Sequence, residues 1–264
     1  MVMRFRSLGS GSTGNATLVQ TTSPGACNLL IDCGFGLKQM EGRLEKAGLL
    51  PQDLSAIFIT HEHGDHIGCV QALSAKYSIP VWMSAGTCAG LDFGDAAGLL
   101  NLASDGQAID LGSLQITPFT VPHDARAPLQ LTCTDGSAKL GVLTDVGHIT
   151  DHVLHHLHGS HALLLECNHD ADMLSASSYP GFLKQRVGGD HGHLSNHQAA
   201  GVARAIQQGN LRRVVAAHLS QQNNRPDLAR QALANALSCS MHEIVVATAD
   251  GGCDWQDVQP LAWS

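Results

Sequence analysis

The run THEHGDH, Thr60 to His66, places four side chains able to hold a metal ion within six residues: His61, His63, Asp65 and His66. In extended backbone, positions two apart point to the same side, so His61 and His63 can grip one cation. Asp65 and His66, at the turn into a following helix, can face a second cation nearby. Imidazole and carboxylate donors suit zinc and also hold manganese or iron. The competing reading is a polar loop with incidental histidines. The density of donors directly after an apolar run, SAIFIT (55–60), argues against it.

Other strand-like runs end the same way. NLLI stops at Asp32, the strand through Val121 runs into His123, and KLGVLT stops at Asp145. ALLL stops at Glu166 and VVAA at His218. Active sites of open sheets gather at the carboxyl ends of strands, so six ionisable groups delivered there read as one site.

The elements that position them are short apolar runs alternating with helix-like segments. Strands are expected at NLLID (28–32), SAIFIT (55–60), LQITPFTV (114–121), AKLGVLTD (138–145), ALLLE (162–166), RRVVAAH (212–218) and EIVVATAD (243–250). Helices are expected over 38–46, 67–76, 149–157, from the N-cap Ser195 to about residue 208, and from Pro226 to Leu237. No linker and no short repeat interrupts the pattern, which predicts an α/β chain forming one domain over 1–264.

The stretch LGSGSTGN (8–15) spells G-x-G-x-x-G with Gly9, Gly11 and Gly14. That spelling binds a dinucleotide only between a strand and a helix N-terminus. Here ATLVQT (16–21) follows and reads as a strand, so a glycine-rich hairpin turn is expected instead.

Composition narrows the class. The chain has 264 residues, 44% of them hydrophobic, with no apolar run long enough to span a membrane and no apolar leader at residues 1–12. Its eight cysteines are scattered without a C-x-x-C pair, which reads as reduced thiols in a cytoplasmic protein. The net charge of −8 argues against a general nucleic-acid coat protein. Lys184, Arg186, Arg204, Arg212, Arg213, Arg225 and Arg230 nevertheless cluster in sequence, as a basic helix surface or a phosphate-facing patch. Six histidines at 148–161 have some i, i+4 spacings, but with no acidic or cysteine partner they read as a solvated helix face.

THEHGDH resembles the H-x-H-x-D-H motif of the metallo-β-lactamase-fold hydrolases, and the resemblance covers nearly the whole chain. It implies an αββα four-layer sandwich, two mixed sheets flanked by helices. NLLIDCG (28–34) resembles the family's strand end whose aspartate, here Asp32, braces the histidine loop. TVPHDA, LTDVG and AAHLS resemble the segments supplying His123, Asp145 and His218. The resemblance implies one metal on His61, His63 and His123, a second on Asp65, His66 and His218, and Asp145 bridging them. Two divalent ions are implied, zinc foremost, with manganese or iron as alternatives.

LGSGSTGN, ECNHDADML (166–174), YPGFLKQRV (179–187), GHLSN (192–196) and HLSQQNN (218–224) are similar to the YycJ/WalJ group, bacterial single-domain proteins associated with exonuclease activity on DNA. Cys167 stands where a small residue is expected. The long insertions of tRNA-processing and β-CASP nucleases are missing. The resemblance therefore implies a phosphodiesterase of the 5′–3′ exonuclease type, using a metal-held hydroxide aligned by Asp65, with DNA as substrate and no membrane partner. His193 resembles the proton-donating histidine of relatives that cleave phosphodiesters, with Glu166 placed to orient it. Ser10, Ser12, Asn15, His169, Asn196 and Arg186 are candidate substrate contacts, the loop ones through a turn nest for phosphate. The same scaffold also hydrolyses thioesters, lactones and cyclic phosphates, so a cytoplasmic small-molecule hydrolase is the alternative. A β-lactamase is disfavoured, and an intact ligand set argues against a non-catalytic metal-binding module.

Overall fold

The computed structural model describes residues 2–22, 25–207 and 210–258. One seven-stranded sheet is built from β1 (Met3–Gly9), β2 (Ala16–Thr21), β3 (Asn28–Ile31), β4 (Ala56–Phe58), β5 (Val81–Met83), β6 (Leu100–Leu102) and the late β14 (Gln256–Asp257), in the order β14-β1-β2-β3-β4-β5-β6. The second contains β7 (Ile109–Asp110), β8 (Gln115–Thr120), β9 (Leu129–Thr134), β10 (Lys139–Leu143), β11 (Ala162–Glu166), β12 (Arg213–Ala217) and β13 (Val245–Val246), in the order β13-β12-β11-β10-β9-β8-β7. In each sheet antiparallel pairs give way to parallel ones, at β3 and at β10.

The strand sequences explain why two sheets stack between helices. Successive side chains leave a strand on opposite faces, and here both faces are apolar, the signature of burial on both sides. Val215 and Ala217 of β12 join Leu140, Val142, Leu131, Phe58 and Ile31 in a core between the sheets. Val214 and Ala216 face outward, against α5 (Asp151–Leu157), α8 (Asn196–Gln207) and α9 (Pro226–Leu237). In the first sheet Leu29 and Ile31 face the partner sheet. Leu30 and Leu18 pack under α1 (Leu37–Lys46) and α3 (Val70–Tyr77), with Met40, Leu44 and Leu73. The result is the αββα sandwich.

The boundaries depart from the sequence reading in instructive ways. ALLLE and ATLVQT form strands over those same residues. EIVVATAD keeps only Val245–Val246, because Thr248 turns back to Gly252 through paired backbone hydrogen bonds. The helix expected over 67–76 breaks into α2 (Gly64–Ile67) and α3 around Gly68, where a Cβ would collide with backbone of Cys33, Gly34 and Phe35. Of the histidines at 148–161, only His152, His155 and His156 lie on α5. The short helices α4 (Ala85–Ala89), α6 (Ala171–Ala176) and α7 (Gly181–Val187) were not foreseen; each is too short to show a clear period.

The inter-sheet core is the main apolar reservoir. Leu131 is fully buried within it, so Leu131→Ala should cost about 2–5 kcal/mol, read as a lowered urea midpoint with an unchanged slope.

Candidate metal centre

The groups delivered by the strand ends converge at one edge of the sandwich. Three of them, Asp32, Asp145 and His218, have left-handed backbone at φ of 61°, 53° and 54°. Such a turn costs an L-residue roughly 1–2 kcal/mol and redirects the side chain just past the last ladder bond. Asp32 shows what it achieves. Its Oδ1 accepts the Thr60 backbone N–H at 2.9 Å, the Thr60 hydroxyl lies 3.0 Å from both oxygens, and His66 Nδ1 is 2.8 Å from Oδ2. One buried carboxylate thus fixes the histidine loop, as expected from the sequence.

The loop is also held from below. A Cβ on Gly34 would overlap the Asp65 carbonyl, and Cys33 N–H donates to His66 O at 2.7 Å. Backbone therefore packs directly on backbone beneath the motif.

His61 Nε2 and His63 Nδ1 are 3.0 Å apart, and the His123 ring centroid lies 4.9 Å from that of His61 and 5.1 Å from that of His63. On the other side His66 Nε2 is 3.5 Å from Asp65 Oδ2 and 3.3 Å from Asp145 Oδ2. His218 Nε2 is 3.9 Å from Asp65 Oδ2, and its Nδ1 is 3.0 Å from Asp145 Oδ1. All seven residues expected as metal ligands are brought together.

Each histidine has one ring nitrogen engaged by a protein acceptor, which leaves the other lone pair for a cation. His61 Nδ1 meets the Thr60 hydroxyl at 3.0 Å, and His63 Nε2 meets Asp124 O at 3.2 Å. His66 Nδ1 meets Asp32, His123 Nδ1 meets Gly192 O at 3.1 Å, and His218 Nδ1 meets Glu166 at 3.2 Å. His123 Nε2 and Asp145 Oδ2 are buried with no hydrogen-bond partner. Unpaired buried polar atoms are costly, and cations between these groups would satisfy them. The donor set fits two divalent ions.

The carboxylates make the centre strongly anionic, a field that a cation or a protonated histidine can answer. Burial works against charge on His218, but Asp145 and Glu166 outweigh it and hold its pKa at about 10. Asp32 and Asp145 likewise hold His66 well above its usual value despite burial. Burial and neighbouring histidines push His61 down, and burial pushes His123 down, favouring the neutral ligand form.

Glu166 and His193 also meet: His193 Nδ1 lies 2.8 Å from Glu166 Oε1. Glu166 is fully buried and in addition accepts the backbone N–H groups of Asp145, Val146 and Leu194. His193 stays partly exposed and lines a cavity of about 340 Å³ with Ser12, His63, Asp65, Asp124, Asp145, Arg186 and His218.

The candidate substrate contacts divide. Ser12 and Arg186 line this cavity. Ser10 is buried and its hydroxyl accepts the His218 N–H at 2.8 Å. Asn15 donates to Asp65 Oδ2 at 3.1 Å and closes its own loop by exchanging hydrogen bonds with Gly11. Asn196 pairs with Asn224 at 2.9 Å beneath α8, and His169 is buried behind Gly188. None of these four lines the cavity, and Ser10 and Asn15 hold His218 and Asp65 in place. Gly9 and Gly14 are packing devices: a Cβ on them would strike Phe35 at 2.6 and 2.5 Å.

Asp124 is the residue the sequence reading missed. It stands 3.5 Å from His123 and 3.7 Å from His63, and it accepts the Arg186 Nε–H at 2.7 Å. Its place directly after His123 was the available signal. The basic segment, in contrast, disperses. Arg186 reaches the cleft, Arg225 pairs with Asp227, Arg230 and Arg212 line separate surface grooves, and Arg213 starts β12 at the end opposite His218. A denser basic surface lies elsewhere: Arg6, Lys38, Arg43 and Lys46 line a groove of about 310 Å³ along α1. Leu8 borders that groove and Ser12 borders the metal cavity, so the first hairpin loop stands between the two.

Asn15→Leu keeps the bulk of the side chain but frees the Asp65 carboxylate. It should weaken metal retention by about 10- to 100-fold against a competing chelator, with the circular dichroism spectrum unchanged.

Residues 27–219 match the family described as the Beta-lactamase superfamily domain. The chain is 33% identical over 245 residues, 90% of each protein, to exodeoxyribonuclease YycJ of Bacillus anthracis. It is 31% identical over 240 residues to exodeoxyribonuclease WalJ of Streptococcus pneumoniae, covering 89% of this chain and 88% of that one. The crystal structure of the metallo-β-lactamase-fold protein YhfI from Bacillus subtilis superposes with a TM-score of 0.73 at 17% identity, over 97% of this chain and 100% of that one. With its strand-end cluster of histidines and aspartates, this chain belongs to the β-lactamase superfamily, among the metallo-β-lactamase-fold hydrolases that include YycJ and WalJ.

Proposed function

We propose that this hydrolase is a phosphodiesterase acting on nucleic acid, DNA foremost, as a 5′–3′ exonuclease working in the cytoplasm. The observation that carries the reading is the Glu166–His193 pair at 2.8 Å on the wall of the metal cavity. It is supported by the names of the relatives, by Arg186 at the cavity and by the basic groove beyond the hairpin loop.

In this reading His61, His63 and His123 would hold one divalent ion, Asp65, His66 and His218 would hold the other, and Asp145 would lie within reach of both. Zinc suits the donors, and manganese or iron fits the same set. When bound, two such ions neutralise phosphate charge and make water a stronger nucleophile. The remaining work falls to the chain. Asp65, steadied by Asn15, accepts a hydrogen bond from the attacking water and so orients its lone pair toward phosphorus. Arg186, held by Asp124, meets a non-bridging phosphate oxygen. As the bond from phosphorus to the sugar oxygen breaks, His193 delivers its Nε2 proton to that oxygen. Glu166 keeps the Nδ1 proton in place. Burial opposes charge on His193, but Glu166 and Asp145 raise its pKa and so favour the protonated donor.

The leaving group tests this assignment. A sugar oxygen needs protonation, whereas a nitrophenolate departs without it. His193→Ala should slow nucleic-acid cleavage by about 10²–10⁴-fold and bis-nitrophenyl phosphate hydrolysis far less. Glu166→Gln should give a smaller loss of the same selective kind. An equal loss on both substrates would make His193 a metal-site or folding residue. End-labelled single- and double-stranded DNA and RNA, assayed with zinc and with manganese, decide the substrate. Elemental analysis should approach two ions per chain, with at least one lost in Asp145→Ala.

The α1 groove offers a second test. Each lysine that contacts phosphate contributes about 0.7–0.9 to the slope of log affinity against log salt. Lys38→Ala and Lys46→Ala should each reduce that slope for nucleic acid by this amount. Neither should change the turnover of bis-nitrophenyl phosphate.

A further inference from the structure

Helix α5 carries three histidines, His152, His155 and His156, and the metal-ligand partner that meets His152 comes from outside the helix, 47 residues away. Asp105 lies in the crossover that takes the chain from β6 in one sheet to β7 in the other. Its Oδ1 stands 2.9 Å from His152 Nε2. His156 follows one turn later on the same helix face, its ring centroid 4.7 Å from that of His152. One donor atom from each of the three lies within 4.8 Å of the others. Tetrahedral zinc with bonds of about 2.0–2.1 Å needs donors roughly 3.3 Å apart, so small side-chain adjustments close the set.

We propose that Asp105, His152 and His156 form a second transition-metal site, sharing no residue with the strand-end centre. Two of its three donors are already oriented. Asp105 Oδ1 accepts the Thr120 backbone N–H at 2.7 Å. The His156 ring stacks on the buried Phe119 at 5.0 Å and 11°, while Lys139 Nζ donates to the His156 carbonyl at 2.7 Å. Burial and the nearby His152 push the His156 pKa down, toward the neutral ligand form. Two imidazoles and one carboxylate select zinc, nickel, cobalt or copper over magnesium or calcium, with water completing the shell. An exposed His152–Asp105 ion pair alone would contribute little and would leave His156 without a part.

The ion's effect follows from its ligands. Asp105 belongs to the crossover from β6 of the first sheet to β7 of the second, and α5 packs against β8 and α8. A metal held by both would staple the junction of the two halves, stabilising the folded state in proportion to its occupancy.

Equilibrium dialysis against zinc tests the site, using protein whose tightly held ions have first been counted. Wild type should take up one further ion per chain and gain thermal stability with it. His152→Ala and His156→Ala should keep the tightly held ions but lose the extra one and the stabilisation. Asp105→Asn should weaken the extra ion at least about tenfold, the loss that removing even an outer partner of a ligand produces. Bis-nitrophenyl phosphate turnover should stay at the wild-type level in all three variants. The proposal is overturned if wild type binds no ion beyond the tightly held ones. It is equally overturned if the extra ion persists in either histidine variant, or if Asp105→Asn binds it as wild type does.

Discussion

The left-handed backbone at Asp32, Asp145 and His218 is the constraint on which the centre depends. Asp32 and His218 directly follow the last residues of β3 and β12, Asp145 lies two residues beyond β10, and continued extended backbone would send each side chain to one face of the sheet. Turning at φ near +55° brings it across the edge. The strain is sustained because the neighbourhood overdetermines it. Asp32 binds Thr60 and His66, Asp145 N–H is held by Glu166, and His218 N–H is held by Ser10. The parallel strands β10, β11 and β12, buried on both faces, then hold Asp145, Glu166 and His218 in one row.

That arrangement separates two tasks among chemically similar groups. Asp145 and Glu166 are both buried carboxylates at adjacent strand ends. Asp145 retains an unpaired oxygen directed at the cluster, whereas both oxygens of Glu166 are occupied by backbone N–H groups and histidines. Saturated hydrogen bonding makes Glu166 a fixed anchor. Asp145 Oδ2, without a hydrogen-bond partner, is the carboxylate oxygen that a cation would satisfy. The same logic sorts the polar residues of the opening loop, where Ser10 and Asn15 are spent on His218 and Asp65 and only Ser12 remains toward the cavity.

Much of this was legible in the sequence because strand ends are local events. An apolar run followed by an ionisable residue can be seen without knowing the partner strands, and all six such groups reach the same edge. What the sequence concealed was non-local. Whether Ser10, Asn15, His169 and Asn196 face a cavity or the interior depends on what packs over them, and no periodicity encodes that. The basic run from 184 to 230 looked continuous because it was read along the chain. In space α7, α8, β12 and α9 carry its members to different surfaces, whereas Arg6, Lys38, Arg43 and Lys46, from two separate segments, come to line one groove.

Non-locality also explains why an acidic chain can suit a polyanionic substrate. A net charge of −8 describes the long-range field, which salt screens beyond about 8–10 Å. Within the cleft the relevant charges are the ligand carboxylates, which bound cations would neutralise, and Arg186. Within the α1 groove they are Lys38 and Lys46 set about two helical turns apart, with Asp250 the one acidic residue among the groove's lining. For the nucleic-acid substrate proposed above, contact-range complementarity would therefore outweigh the net charge.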